Sequence, residues 1–185
     1  MYSIRHLLTK AFAALVFFAL SLASVALAAD RSALDKEAKR AYGKLVAAVP
    51  AANALGKDAV GVLVFPKITK AGLVVGGQYG EGVLLQHGKP AGYYSTSGAS
   101  YGFQAGAQQY GYAMFFMSER ALAALSAADG FEIGVGPSIV VVDEGMAKSL
   151  TTKTANQDVY AFIFSQKGLM AGLGLQGNKI TKLSP

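Results

Sequence analysis

The sequence predicts an α+β protein: a strongly bent antiparallel β-sheet or barrel-like core with packed helices, in a single domain. Three observations predict it. A charged segment of helical period, 32–49, comes early in the chain, and all 22 glycines lie from Gly43 onward. Beyond Ala59 the apolar residues come in short β-type runs separated by turn residues. Glycines sit inside those runs, where they mark bulges, tight bends or close backbone approach. Strands kinked that often belong to a curved sheet. Few stretches alternate as strand, helix, strand, which argues against a parallel sheet.

The first element is a leader. Arg5, His6 and Lys10 precede a charge-free run from Ala11 to Leu27, and Ala26-Leu27-Ala28 gives small residues around a cleavage point. That pattern is a secretory signal peptide over residues 1–28, leaving residues 29–185 as the exported domain. The rival reading is an uncleaved anchor, but the run is shorter than the ~20 residues a spanning helix needs. The expected location is therefore periplasmic or extracellular, with membrane association. The chain has no Cys, so disulfides and thiolate metal sites are excluded. The formal net charge of +6 falls by two when Arg5 and Lys10 leave. A small, dispersed excess of this kind suits an anionic membrane surface and does not suit nucleic acid.

Residues 32–49 form an amphipathic helix. Leu34, Ala38, Ala41, Tyr42, Leu45 and Val49 recur at three- and four-residue spacing. Ser32 stands as its N-cap, with Asp35 three residues on. Pro50 ends this helix and opens a second, Ala51 to Leu55, which Gly56 closes. Strands are then expected at Val60–Phe65, where Pro66 stops the run, and at Gly72–Tyr79, Glu81–Gln86 and Ala91–Ser95. The turn His87-Gly88-Lys89-Pro90 leads into the last of these. Ser100–Gln109 and Tyr112–Met117 follow, then a helix Glu119–Ala128 capped by Ser118. Phe131–Val135, Ser138–Val142 and a hairpin of Val159–Ser165 with Leu169–Leu175 around Gln166-Lys167-Gly168 come next. Lys179–Leu183 is the last strand.

No residues assemble into a catalytic or cofactor site. The cluster Gly76-Gly77-Gln78-Tyr79-Gly80-Glu81-Gly82 lacks the following helix of a dinucleotide fingerprint and the Lys-Ser/Thr of a P-loop. His87 lies in a turn without a nucleophile motif around it. Asp143 and Glu144 are adjacent, which places them on opposite faces of a strand and does not suit paired acid–base work. No metal site, cofactor or enzymatic activity is expected. The feature that suits binding is the cationic rim of the first helix: Lys36, Lys39, Arg40 and Lys44 can meet phosphates while the apolar face dips into a bilayer. Lys67 and Lys70 add a second basic point after Pro66. The plainer alternative is a helix packed on its own domain with a solvated charged face.

Several ordered blocks resemble one family. Gly61-Val-Leu-Val-Phe-Pro-Lys-Ile-Thr-Lys-Ala-Gly72, Gly76 to Gly82, Gly102-Phe-Gln-Ala-Gly-Ala-Gln108, Phe131 to Pro137 and Lys167 to Gly177 are similar to blocks of the bacterial SYLF-domain, Ysc84-related, lipid-binding family. The resemblance spans Ser32 to Lys182. It implies a non-enzymatic lipid-binding module and makes the lysines and Arg40 of the first helix headgroup candidates. Some relatives it implies bind phosphoinositides or actin; actin is not expected outside the cytoplasm. The expected partner is an anionic phospholipid or membrane surface. The alternative is a structural or protein-interaction module of the cell envelope, with an unidentified protein partner and no lipid role.

Overall fold

The computed structural model describes residues 30–72, 75–101, 106–126, 131–132, 138–142, 156–168 and 178–184. The expected leader, the loop with Asp143 and Glu144, and the strand Leu169–Leu175 lie outside the described residues. The chain divides into two compact units, Met1–Lys36 and Glu37–Pro185.

Helix α1 covers 30–48, so Ser32 lies inside it and is not its cap. Ala38 and Leu45, seven residues apart, are its buried positions, as a 3.6-residue period requires. Helix α2 is Pro50–Asp58, with Pro50 in its first turn. It runs through Gly56 instead of stopping there. A Cβ on Gly56 would collide with the Tyr42 hydroxyl, so this glycine provides close approach and not a helix end.

Among the described residues eight strands form one open sheet. They are β1 (Gly61–Gly72), β2 (Val75–Gln86), β3 (Lys89–Tyr101), β4 (Gly106–Phe116), β5 (Phe131–Glu132), β6 (Ile139–Val142), β7 (Val159–Gly168) and β8 (Lys179–Lys182). Their order is β5-β8-β3-β2-β1-β4-β7-β6, an arrangement with two edges and not a closed barrel. The chain is thus α+β and mostly strand. Every ladder is antiparallel except that of β6 with β7, which is parallel. A short helix α3 (Glu119–Ala123) follows β4. The Ser118 hydroxyl accepts from the Ala121 N–H at 3.2 Å, the capping predicted from sequence. The helix passes into a 3₁₀ turn at Ala124–Ser126.

The strands are longer than the apolar runs suggested. β1 continues through Pro66, and it carries one more residue than both β2 and β4 across Val64–Ile68. A bulge is where a strand tolerates proline, because no ladder bond is demanded of its nitrogen. β2 continues through Gly80 and Gly82. Cβ atoms there would lie 2.7 Å from Ile68 Cγ1 and 2.6 Å from Phe65 Cδ1, so the neighbouring strand fills both gaps. The turn between β2 and β3 is His87-Gly88, both at positive φ (50° and 74°), as a two-residue hairpin turn requires. Gln166–Gly168 belongs to β7 and is not a turn.

The bulge changes which residues of β1 share a face. Leu63 and Phe65 before it, and Ile68 and Lys70 after it, face the same side. That side holds the main core, with Leu84, Tyr94, Tyr110, Tyr112, Met114, Phe116, Val159, Ala161 and Ile180, closed by Ala121, Leu122 and Leu125 around α3. The other side carries Phe115, whose ring packs on Tyr42 of α1 at 6.1 Å and edge-on to Phe162 at 5.2 Å. Lys67 and Thr69 lie on that second side and are exposed.

Candidate functional site

The six cations singled out from sequence do not form one cluster. Lys36, in the first compact unit, is exposed. Lys39 is exposed on α1. Arg40 and Lys44, one helical turn apart, are exposed on the flank of α1 that borders a cleft of about 350 Å³. Lys67 reaches the same cleft from β1. Lys70 does not. Three residues separate it from Lys67, an odd number, so the alternation of a strand turns it to the opposite face. There it is 7% exposed.

The cleft forms where the sheet is least regular. Its β1 wall is the bulge at Pro66 and Lys67. Its far wall is Phe164 and Ser165 of β7, where β7 carries one more residue than β4 between Phe164 and Lys167. Ser165 has φ of 54°. Gly111 leaves room for the Phe164 ring, since a Cβ would overlap it. Gln109 and Tyr110 complete the sheet side, and Glu37, Arg40, Ala41 and Lys44 the helix side. Three cations against the single carboxylate of Glu37 give the cleft a positive balance. Its size is in the range of small-ligand sites, and its open, exposed cations suit a phosphate that keeps part of its hydration. Sequence reasoning found the cations but missed Ser165, Gln109 and Tyr110. No periodic signal marks these three, because the two bulges alone bring them to the cleft.

His87 stands in an exposed turn. Among the described residues no group of three or more His, Cys, Asp or Glu could hold a metal ion. No helix among them is long and apolar enough to cross a membrane.

The opposite face contains a polar network. Tyr112 donates to Thr96 Oγ1 at 3.0 Å, and Tyr110 donates to Gln78 Oε1 at 2.8 Å. Gln78 donates from Nε2 to Asn178 Oδ1. Burial pushes the Tyr110 hydroxyl up to about 12. Burial raises Tyr112 further, only partly offset by its bond to Thr96. On the outer face Tyr79 donates to Glu81 at 2.8 Å. Its pKa is raised by partial burial and by that carboxylate.

With this geometry in view, the comparison with known families is informative. Residues 97–184 match the family model described as Ysc84, a Las17-binding protein and actin regulator. This segment belongs to the Ysc84 (SYLF) family. No curated protein matches the chain. The Ysc84 segment begins inside β3 and ends after β8. It supplies Gln109, Tyr110, Phe164 and Ser165 to the cleft, whereas Arg40, Lys44 and Lys67 come from the chain before it. The glycine blocks at Gly61–Gly72 and Gly76–Gly82 also precede the match.

Proposed function

We propose that the protein is a non-enzymatic, membrane-binding protein of the cell envelope that receives anionic lipid headgroups in the cleft between α1 and the β1–β4–β7 part of the sheet. One observation carries the proposal: Arg40 and Lys44 from α1 and Lys67 from β1 line one open cleft. Lys and Arg beside an acidic surface each contribute about 1 kcal/mol of attraction. Lys39, exposed on the same helix, adds to the field around the membrane without entering the cleft. Export, as the leader suggests, would place this surface against the periplasmic or outer leaflet. A binding role also agrees with the family description, which names a protein partner and regulation rather than a reaction.

The test is sedimentation of the full chain with phosphatidylcholine vesicles and with vesicles containing phosphatidylglycerol. Any apolar leader adds equally to both, so the difference between the two reads the electrostatic part. Replacing Arg40, Lys44 and Lys67 together by Glu is expected to lower binding to the acidic vesicles at least about tenfold. Unchanged preference for acidic vesicles would refute the headgroup site. The family description also favours a second reading, a protein-interaction module. On that reading the parent chain shows no preference for acidic vesicles at all.

A further inference from the structure

The cleft between α1 and the sheet has two unlike sides. α1 and the β1 bulge bring charge to it: Arg40, Lys44 and Lys67 against the carboxylate of Glu37. None of these four forms an ion pair with another described residue. The wall made by β4 and β7 carries no charge. There Gln109 and Ser165 stand exposed. Neither side chain has a hydrogen-bond partner among the described residues. Tyr110 lies between them in neutral form, its hydroxyl already committed to Gln78 on the other face.

Ser165 holds its place against a backbone preference. Its φ of 54° is left-handed, a region uncommon for any residue but glycine and enriched chiefly in Asn, Asp and His among the others. It sits in the bulge where β7 outnumbers β4. A left-handed bulge position is ordinarily filled by glycine, which takes that conformation freely. The chain has 22 glycines, yet this position keeps a side chain with a hydroxyl. Strained residues of this kind cluster at ligand clamps, where the surroundings over-determine them. Here the strained residue borders a cleft with three unpaired cations. The two sides match the two halves of one class of ligand. Phosphate oxygens satisfy the cations. Free hydroxyls on an alcohol esterified to that phosphate meet Ser165 and Gln109, each of which both donates and accepts. A wall without charge suits a neutral alcohol better than an ammonium or a carboxylate. At about 350 Å³ the cleft has room for both halves.

We propose that the cleft recognises a phosphate esterified to a small polyol, glycerol being the simplest, with Ser165 and Gln109 as the residues that read the hydroxyls. This rests on the headgroup reading above and adds selectivity to it: the cations hold the phosphate, and the neutral wall chooses among headgroups of equal charge.

The experiment sediments the full chain with phosphatidylcholine vesicles that contain equal mole fractions of either phosphatidylglycerol or phosphatidylmethanol. The two acidic headgroups carry the same charge and differ in the glycerol hydroxyls. The parent is expected to bind the phosphatidylglycerol vesicles about three- to tenfold more tightly, as one net hydrogen bond allows. Ser165→Gly combined with Gln109→Ala is expected to bind both alike. Ser165→Gly alone is expected to lose part of the selectivity while raising the urea midpoint, because glycine relieves the strain. A residue with only a structural role would not couple those two changes. Should the double variant fail to fold, the single variant decides. Equal binding of the parent to both acidic lipids would overturn the inference and leave the headgroup site standing, since the joint reversal of Arg40, Lys44 and Lys67 tests that site separately. Undiminished selectivity in the folded variants would overturn it too. Soluble competitors separate the sources of the ester. Displacement by glycerol phosphate and not by methyl phosphate supports recognition of the free polyol phosphate. No displacement by either, with lipid selectivity intact, supports recognition of the headgroup in the membrane. Equal displacement by both would count against the role of the hydroxyls.

Discussion

The two ends of β1 face the same core but are built differently. At Gly61–Phe65 every residue is buried, because both faces of the sheet are covered there. Beyond the bulge burial alternates: Ile68 and Lys70 are inside, Lys67, Thr69 and Ala71 are exposed. The first half therefore resembles the centre of a two-sided sheet, and the second half a sheet with one wet face. The difference shows what the bulge at Pro66 accomplishes. By inserting one residue it keeps the inner face continuous from Leu63 to Lys70 while placing Lys67 on the outer face, in the cleft. Apolar packing is concentrated at one end, and polar and charged side chains at the other.

The contrast is sharpest where packing is densest. Phe65 is fully buried and stacks obliquely on Tyr112, ring centres 4.8 Å apart. Phe65→Ala is expected to cost about 3–5 kcal/mol in chemical denaturation, with little chance of collapse around the void. Thr69→Ala, on the exposed side of the second half, is expected to change stability by less than about 0.5 kcal/mol. Similar costs at both positions would mean that the two halves are equally packed.

Alkaline pH strikes the boundary between the halves, where Tyr110 and Tyr112 sit. Their folded pKa values lie above the ordinary tyrosine value of 10.0, for Tyr110 at about 12. The folded state therefore holds these protons more tightly than the unfolded chain. Stability from this source is complete below pH 10 and is lost as pH rises from there through about 12. Tyr112→Phe is expected to flatten that decline while costing the bond to Thr96. Stability that stays level across this window in the parent would show that the hydroxyls are not confined as described.

Sequence made part of this legible. The helical start, the α+β class and the Ser118 cap could be read because each depends on local pattern. Strand length could not, because Pro66, Gly80 and Gly82 carry the signals that normally end strands. Their gaps are filled by Phe65 and Ile68 from the next strand, contacts that no local pattern records. For the same reason Lys67 and Lys70 read as one basic point. An undisturbed strand already separates residues three apart, and only the register shows which face each one joins. The cleft became visible only once two bulges, from β1 and β7, were brought together. Ser165 and Gln109 had no signal in their own neighbourhoods.

Substituting the two lysines tests the faces against each other at smaller amplitude. Lys70→Met keeps the length of a largely buried stem and removes the ammonium at its tip. It is expected to stabilise the fold by about 1 kcal/mol. Lys67→Met, made where water already solvates the ammonium, is expected to be neutral within about 0.5 kcal/mol. Urea denaturation of the two variants separates them. A loss of stability in Lys70→Met would show that its ammonium is already paired within the chain.

The smallest effect belongs to an ion pair outside both halves. Arg120 of α3 donates to Asp158 at 3.2 Å, just before β7. The Arg120 side chain is 86% exposed and that of Asp158 25%. An exposed cation gains little from a partner, because water screens the attraction and the long side chain loses rotamer freedom. Arg120→Ala is therefore expected to cost no more than about 0.5 kcal/mol, vanishing in 0.5 M salt as screening shortens to about 4 Å. The comparison with Lys70 makes this small number useful. Both are cations held by the sheet and its flanking helix, and they differ mainly in burial. If Arg120→Ala shifts stability as much as Lys70→Met does, burial is not what sets the energetics of charge in this fold.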